Sequence, residues 1–113
     1  MNKIIIDGCI QNNTNLLADI ASFNISAKTG LFTLINNKTK NRFTYIKVVY
    51  PHEIDEYTES VIQPNQMVRI YGKLDSEIYE TDSGKNVYNK IICADKLVKI
   101  RYNKDTHDFE EVI

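Results

Sequence analysis

Residues 67–92, MVRIYGKLDSEIYETDSGKNVYNKII, predict two antiparallel strands joined by a turn. Apolar and polar residues alternate over the first half, which is the period of a strand with one buried face. The Asp-Ser-Gly triplet at 82–84 is typical of a chain reversal. We assign the first strand to residues 67–74, which the pattern allows to continue to 80, and the second to residues 86–93. The predicted core face of the first strand carries Val68, Ile70, Gly72 and Leu74, and the opposite face carries Met67, Arg69, Tyr71 and Lys73.

Three further strands are predicted upstream of this hairpin. Residues 3–10 alternate with the period of a half-buried strand and form the first. Residues 11–17 are polar and turn-prone. Two apolar runs flank residues 28–30 (KTG) and form either one long bent strand or a hairpin, because a glycine within a strand pattern marks a bulge or bend. Residues 37–42 (NKTKNR) are predicted as a basic turn, and residues 43–50 (FTYIKVVY) as the third strand.

One helix is predicted, over residues 51–62. A proline at its start, acids in its first turn and the spacing of Ile54, Tyr57 and Val61 favour it. Residues 94–102 continue the last strand as an extended edge or a short closing strand. Five strands with one helix between the third and fourth is the arrangement of the OB-fold, so the predicted class is an all-β, five-stranded Greek-key barrel. A flat two-layer α+β sheet is the structural alternative.

The composition fits one domain and argues against catalysis. The chain has 113 residues, of which 42% are apolar, enough for a single core. Its cysteines, Cys9 and Cys93, and its histidines, His52 and His107, show no spacing typical of a disulfide framework, a zinc site or a nucleophile. Four scattered glycines form no phosphate-binding loop. We therefore predict a protein that is not an enzyme and that needs no cofactor or metal.

The first ten residues, MNKIIIDGCI, predict no targeting segment. Their apolar run is short and is broken by Asp7 and Gly8, so neither a signal peptide nor a membrane span is predicted. We expect a soluble, intracellular protein without a membrane partner.

Charge divides the chain into two parts. Residues 1–104 contain all 14 lysines and arginines against 11 acids, whereas residues 105–113 contain four acids and no lysine or arginine. We expect an OB-fold domain over 1–104 and a short acidic tail over 105–113, for which a frayed, solubilising end is the plain alternative. Within the basic body, three residues cluster in the predicted turn: Lys38, Lys40 and Arg42.

Basic and aromatic residues share the predicted exposed strand faces. On the third strand Phe43, Tyr45 and Lys47 lie on one face. Aromatic rings stack on unpaired bases and cationic groups neutralise phosphates, so this combination predicts a surface for single-stranded nucleic acid. Tyrosines also occur on strands for structural reasons, and lysines block unwanted edge pairing. The candidate nucleic-acid-binding residues are Lys3, Lys40, Arg42, Phe43, Tyr45, Lys47, Arg69, Tyr71, Lys73, Tyr79, Lys85 and Tyr88.

Three segments resemble the bacterial and phage single-stranded DNA-binding protein family. Residues 1–10 are similar to the family's first strand, and residues 45–49 (YIKVV) to its third. Residues 67–92 resemble its fourth and fifth strands with their long aromatic-bearing arm. The resemblance implies that Tyr45 and Tyr79 stack on bases. It also implies phosphate contacts from Lys3, Lys47 and Lys73.

The chain departs from the family's pattern in several places. It has no Trp, which with Phe is usual at the stacking positions, and Pro51 stands where an aromatic is expected. The glycine-rich linker is missing, and DFEEVI at 108–113 is similar to the family's acidic tip without its Pro-Phe ending. The resemblance implies a homo-oligomer, either a tetramer or a dimer, acting in the bacterial cytoplasm and encoded by a bacterium, phage or plasmid.

The predicted function is sequence-independent binding and protection of single-stranded DNA in replication, recombination or repair. The similarity of the acidic tail to the family's acidic tip implies a contact with replication and repair proteins. Two alternatives stay open from the residues. The first is an OB-fold protein-interaction module or primosome-type accessory subunit, whose tyrosines are interface anchors. The second is an RNA-binding OB domain, because no residue pattern distinguishes a 2'-hydroxyl.

Overall fold

The computed structural model describes residues 1–12, 14–17, 19–33 and 39–112, with the backbone alone at 29–33 and 39–42. The elements are β1 (Ile4–Ile10), β2 (Asn15–Leu17), β3 (Ile20–Thr33), β4 (Thr39–Tyr50), α1 (Glu56–Val61), β5 (Met67–Glu80), β6 (Asn86–Asn103) and β7 (Asp108–Val112).

Five long strands close into a barrel. β1 pairs with β5, β5 with β6 and β3 with β4, all antiparallel, and β4 pairs with β6 in parallel. The circle is completed by β1 and β3, where Cys9 pairs with Ser26 and Ile10 with Ile25. The helix α1 lies between β4 and β5, the third and fourth barrel strands. The predicted OB-fold is therefore confirmed, and the flat two-layer alternative is wrong.

The barrel curves at two irregular positions. The pairing of β3 with β4 shifts between Lys28 and Gly30, and β3 runs through this point without a turn as far as Thr33. The prediction of one long bent strand is confirmed over these residues, and the hairpin is wrong. The pairing of β5 with β6 shifts between Tyr71 and Gly72. A Cβ atom at Gly72 would collide with the backbone carbonyl of Cys93, so only glycine lets the two strands approach this closely.

Among the side chains that the structure describes, the core contains alanines, branched aliphatic residues and one aromatic ring, that of Phe23. The fully buried side chains come from β1, β3, β4, α1, β5 and β6, so every barrel strand contributes. On β5 the buried positions are those that the alternation predicts, except that Leu74 is exposed where β5 extends beyond the barrel. The largest fully buried side chains of the core are Phe23, Ile10, Ile25, Ile62, Ile70, Ile92, Val48, Val61 and Val68.

The helix is shorter than predicted, because its cap lies further along the chain. Asp55 has an extended backbone conformation and its carboxylate accepts a hydrogen bond from the Thr58 backbone N–H at 2.7 Å, which begins the helix at Glu56. Hydrogen bonds from the backbone and the side chain of Thr58 lower the pKa of Asp55. The prediction of helix over residues 51–55 is wrong. Val61 is buried against the core, so α1 covers one end of the barrel.

Strands replace two of the predicted turns. Residues 15–17 form β2, which pairs with the start of β3, although residues 11–17 were predicted as turn. Residues 39–42 extend β4, so the predicted basic turn over 37–42 is wrong in that part, and Lys38 lies outside the described residues. Residues 94–102 belong to one continuous β6.

The acidic end of the chain contains a strand. Residues 108–112 form β7, which pairs with β6 from Lys99 to Asn103. Tyr102 and Phe109, which are partners in this pairing, meet edge to face with ring centres 5.4 Å apart. A frayed end is therefore wrong for residues 108–112.

Candidate nucleic-acid interface

The outer face of β4 carries two exposed aromatic rings. Tyr45 is 71% exposed and Phe43 is 50% exposed, whereas Val48, on the opposite face, is fully buried. The exposure follows from the alternation of a strand in a closed barrel, where successive side chains point inward and outward. An exposed ring on a strand leaves its flat face open for stacking.

The outer part of the β5–β6 hairpin, residues 75–90, forms an arm that lies against this face. The Lys47 ammonium on β4 binds the Glu77 carboxylate on the arm, with Nζ 2.9 Å from Oε2. The Asn89 side-chain amide donates to Glu77 Oε1 at 3.2 Å. The hydrogen bonds from Lys47 and Asn89 lower the pKa of Glu77. Tyr79, 54% exposed, follows Glu77 by two residues and projects from the same face of the arm. Tyr45 and Tyr79 therefore each lie two residues from a member of this ion pair, on the two faces that it joins.

A hollow of about 330 Å³ separates the arm from the β2–β3 hairpin. Lys47 and Glu77 contribute charged groups to its lining. The other lining residues are the apolar Leu17, Ile20, Val49 and Ile91 and the polar Asn15 and Ser22. This hollow is not predicted from the sequence, because β2 lies in a segment of turn-prone composition. The apolar pair Leu16 and Leu17, at the end of the turn-prone segment 11–17, was a local signal of it.

Tyr88 lies on the other face of the arm. It pairs directly with Ile78, and both side chains are exposed, at 65% and 61%. On the same face Lys90 donates from Nζ to Ser76 Oγ at 3.2 Å. The arm therefore carries its two tyrosines on opposite faces, and Tyr88 does not join Tyr45 and Tyr79.

Arg69 and Tyr71 on β5 are held by carboxylates. The Arg69 guanidinium donates from Nε to Asp7 Oδ1 at 2.7 Å and from Nη2 to Asp7 Oδ2 at 2.9 Å, and Nη1 lies 3.8 Å from Glu111 Oε2. The hydrogen bond to Asp7 raises the pKa of Arg69. The Tyr71 hydroxyl donates to Glu111 Oε2 at 3.1 Å, and partial burial together with this bond raises the pKa of Tyr71. Lys96 Nζ lies 5.5 Å from the centre of the Tyr71 ring.

The remaining predicted basic residues are scattered. Lys3 and Lys73 are exposed at the same end of the β1–β5 ladder, where Ile4 pairs with Gly72. Lys85 is exposed at the tip of the arm, where its backbone N–H donates to Thr81 Oγ1 at 3.2 Å. The side chains of Lys40 and Arg42 lie outside the described residues, and only their strand backbone is placed.

The described residues contain neither a candidate metal site nor a candidate membrane span. No group of three His, Cys, Asp or Glu side chains among them is arranged to hold a metal ion. None of the helical residues forms a segment long and apolar enough to cross a bilayer.

Comparison with known proteins finds similarity in structure and not in sequence. The sequence matches no protein-family model and no curated protein. The structure is similar to that of a Plasmodium falciparum SSB in complex with ssDNA, with a TM-score of 0.68, 16% identity, and coverage of 100% of this chain and 96% of that chain.

Two bacterial structures are also similar. A deletion mutant of the single-stranded DNA binding protein from Thermus aquaticus gives a TM-score of 0.66 at 15% identity, covering 89% of this chain and 51% of that chain. The small single-stranded DNA-binding protein from Streptomyces coelicolor gives 0.59 at 12% identity, covering 86% and 92%. At these identities the likeness establishes the fold, and the chain has the OB-fold barrel that these three single-stranded DNA-binding proteins share.

Proposed function

We propose that the protein binds single-stranded DNA without sequence preference and protects it during replication, recombination or repair. The observation that carries this proposal is the surface formed by Phe43, Tyr45, Lys47 and Tyr79. Three exposed rings and one ammonium group lie on the outer faces of β4 and the arm, and the Lys47–Glu77 ion pair joins these two faces. The structural neighbours of the barrel are named as single-stranded DNA-binding proteins.

Binding would combine two physical effects. Stacking of a base on an exposed ring contributes about 1–3 kcal/mol. Each lysine that neutralises a phosphate releases counterions, so the logarithm of the affinity falls by about 0.7 per contact for each tenfold rise in salt. Neither effect reads base edges, which is why no sequence preference is expected.

Lys47 starts from an ion pair in the free protein. A phosphate that binds Lys47 competes with the Glu77 carboxylate for the ammonium group. The pair is partly exposed, so its contribution to stability is small, about 0–1 kcal/mol, and the exchange is energetically accessible. Asn89 remains as a second donor to Glu77 after Lys47 has left.

The test is a titration of the intrinsic tyrosine fluorescence with oligo-dT of about 16 nucleotides, the upper site size of one OB-fold. We expect saturable quenching that weakens at high salt and is weak with duplex of equal length. An identical response to duplex, or no binding at low salt, would overturn the proposal. A ribo-oligonucleotide of the same sequence tests the RNA-binding alternative in the same experiment.

We also propose that the protein forms a homo-oligomer, a dimer or a tetramer, through the face of the arm that carries Ile78 and Tyr88. These exposed side chains pair directly across the arm and continue toward Leu74, which is also exposed. Light scattering of the wild type and of Ile78→Ser measures this. A wild-type mass equal to one chain would exclude the oligomer.

Recruitment of replication and repair proteins by residues 105–113 is a further proposal. Within this segment Glu110 is bound by Arg101 at 2.9 Å and Glu111 by Tyr71 at 3.1 Å, so a partner that reads these carboxylates has to displace β7 or bind its outer edge. Pull-down of known replication proteins with the wild type and with a chain ending at residue 104 tests this proposal. Equal capture by both chains would contradict it.

A further inference from the structure

A second hollow lies on the barrel wall beside the surface already described. It measures about 340 Å³ and is lined mainly by side chains from β1, β3, β4, β5 and β7. Phe43, Met67 and Phe109 form its walls. We call it the Phe109 hollow, after the residue that β7 contributes.

The register of the strands explains why a depression forms here. Ser26 on β3 pairs with Cys9 on β1, and Cys9 pairs with Met67 on β5. Ser26 and Cys9 are small and form the floor, whereas the larger Phe43 and Met67 rise on either side. The half-buried ring of Phe109 closes the third side, where its contact with Tyr102 fixes it.

The charge at the rim suits an anion. Lys28 is exposed, lines the hollow and pairs with Phe43 across the β3–β4 ladder. Asp7 also lines the hollow, but both of its carboxylate oxygens accept hydrogen bonds from Arg69. The carboxylate that would repel a phosphate is therefore neutralised by the neighbouring strand.

The hollow is continuous with the β4 surface. Ser26 on its floor is the direct strand partner of Tyr45, so the exposed Tyr45 ring and the hollow are separated by about one strand spacing, roughly 4.8 Å. Phe43 belongs to both, as an exposed ring of β4 and as a wall of the hollow.

We propose that the Phe109 hollow is an additional base-binding subsite for single-stranded nucleic acid. One base lies against the rings of Phe43 and Phe109, with Lys28 in contact with the adjoining phosphate. The subsite extends the bound strand from Tyr45 across β3 and β1 toward β7, and it rests on the proposed function. It also gives a binding role to Phe109, in a segment that its charge alone marked as an acidic tail.

The first test uses a reporter, because the chain contains no Trp. Phe109→Trp places an indole in the hollow, and Tyr45→Trp places one on the β4 surface. With oligo-dT of about 16 nucleotides we expect both emissions to be quenched with the same midpoint. Quenching at position 45 without any change at position 109 would overturn the subsite and leave the proposed function standing. No quenching at either position and no binding by the wild type would mean that the proposed function itself fails.

The second test measures affinity. Phe109→Ala should weaken binding of the same oligo-dT by about 5- to 150-fold, the equivalent of one stacked base, whereas Phe109→Tyr should bind as the wild type does. Unchanged binding by a folded Phe109→Ala protein would contradict the proposal.

Because the loss of Phe109 could disturb β7, an exposed side chain provides an independent check. Lys28→Gln should reduce the slope of log affinity against log salt by about 0.7, and the matched variant Lys90→Gln, on the far face of the arm, should leave it unchanged. Equal slopes for Lys28→Gln and the wild type would remove the phosphate contact. An emission change of the Phe109→Trp protein with protein concentration alone would show that a second copy fills the hollow, which also overturns the proposal.

Discussion

The outer faces of β4 and β5 carry almost the same alternation, yet the structure surrounds them differently. On β4 the series is Phe43, Tyr45 and Lys47, and both rings are exposed. On β5 the series is Arg69, Tyr71 and Lys73, and the first two are bound by carboxylates from β1 and β7. The pattern of aromatic and basic residues on a strand therefore identifies an outer face but does not decide whether that face is open to a ligand.

The difference arises from distant parts of the chain. Asp7 lies 62 residues from Arg69, and Glu111 lies 40 residues from Tyr71. Strand pairing of β1 with β5 brings the first carboxylate into place, and β7 on β6 brings the second. On β4 the corresponding partner is Glu77, which holds Lys47 and leaves the rings open. Under the proposed function, β4 and the Tyr79 face of the arm bind the single strand, whereas Arg69 and Tyr71 stabilise the barrel wall.

The largest expected effect is a loss of stability on replacement of the β5 arginine. Arg69→Met should lower the free energy of unfolding by about 2–3 kcal/mol, because it leaves the half-buried Asp7 carboxylate without its two charged hydrogen bonds. Urea unfolding measures the change. Lys73→Met, an exposed position on the same face of β5, is the matched control and should stay near the wild type. An Arg69→Met protein of full stability with a reduced salt slope would place Arg69 among the phosphate contacts and break the comparison.

Replacement of the β4 ring should affect binding more than stability. Tyr45→Ala should weaken binding to oligo-dT by about 1–3 kcal/mol, because a stacking surface is lost. Since the ring is exposed, the loss of stability should stay below about 1 kcal/mol, the range of strand propensity. The matched variant Tyr71→Ala should show the reverse, with a larger loss of stability than of affinity. Equal affinities of Tyr45→Ala and the wild type would show that the β4 tyrosine is structural.

The fold could be predicted from the sequence because the patterns that indicate its strands and turns are local. The alternation on β5 and the turn after it predicted the long hairpin, and Pro51 correctly ended β4. The helix start was misplaced because the capping role of Asp55 depends on its hydrogen bond with Thr58, which is not visible in a count of helical spacing. The strand β7 was missed because acids dominate residues 105–113 and because its apolar residues, Phe109 and Val112, are three positions apart and do not follow the period of two.

The candidate site was predictable only in part, because local alternation gives the orientation of a side chain but not its contacts with distant residues. Exposed positions such as Tyr45 follow from period two, so their orientation could be read from the sequence. Whether a side chain is already bound depends on contacts such as Lys47 with Glu77, which require the arm to fold back on β4. The two faces of the arm were likewise indistinguishable before the register of Ile78 with Tyr88 was known.

A salt titration measures the contribution of each lysine. Lys47→Ala should reduce the slope of log affinity against log salt by about 0.7, as expected for one lost phosphate contact on a single strand. Lys96→Ala is the matched control, since Lys96 lies over the Tyr71 ring on the stabilising side of the comparison. A change in slope for both variants would mean that the bound strand also covers the outer face of β5.

The smallest expected effect concerns the carboxylate that holds Lys47 in the free protein. Glu77→Gln removes the competitor of the phosphate, so affinity at pH 7 should rise by about 1.4- to 5-fold, the equivalent of one exposed ion pair.

The same variant should weaken the acid dependence of stability. The pKa of Glu77 is lowered in the folded state, so its contribution is present above the ordinary value of 4.5 and is lost as the pH falls through the folded value. Glu110→Gln is the matched control, because hydrogen bonds from Asn103 and Arg101 lower the pKa of Glu110 while its place on β7 is remote from Lys47. Both variants should therefore show a smaller fall in melting temperature than the wild type as the pH is lowered. Only Glu77→Gln should bind the oligonucleotide more tightly. An equal gain in affinity for the two variants would show that the change in net charge causes the gain. It would contradict a competition between Glu77 and the phosphate for Lys47.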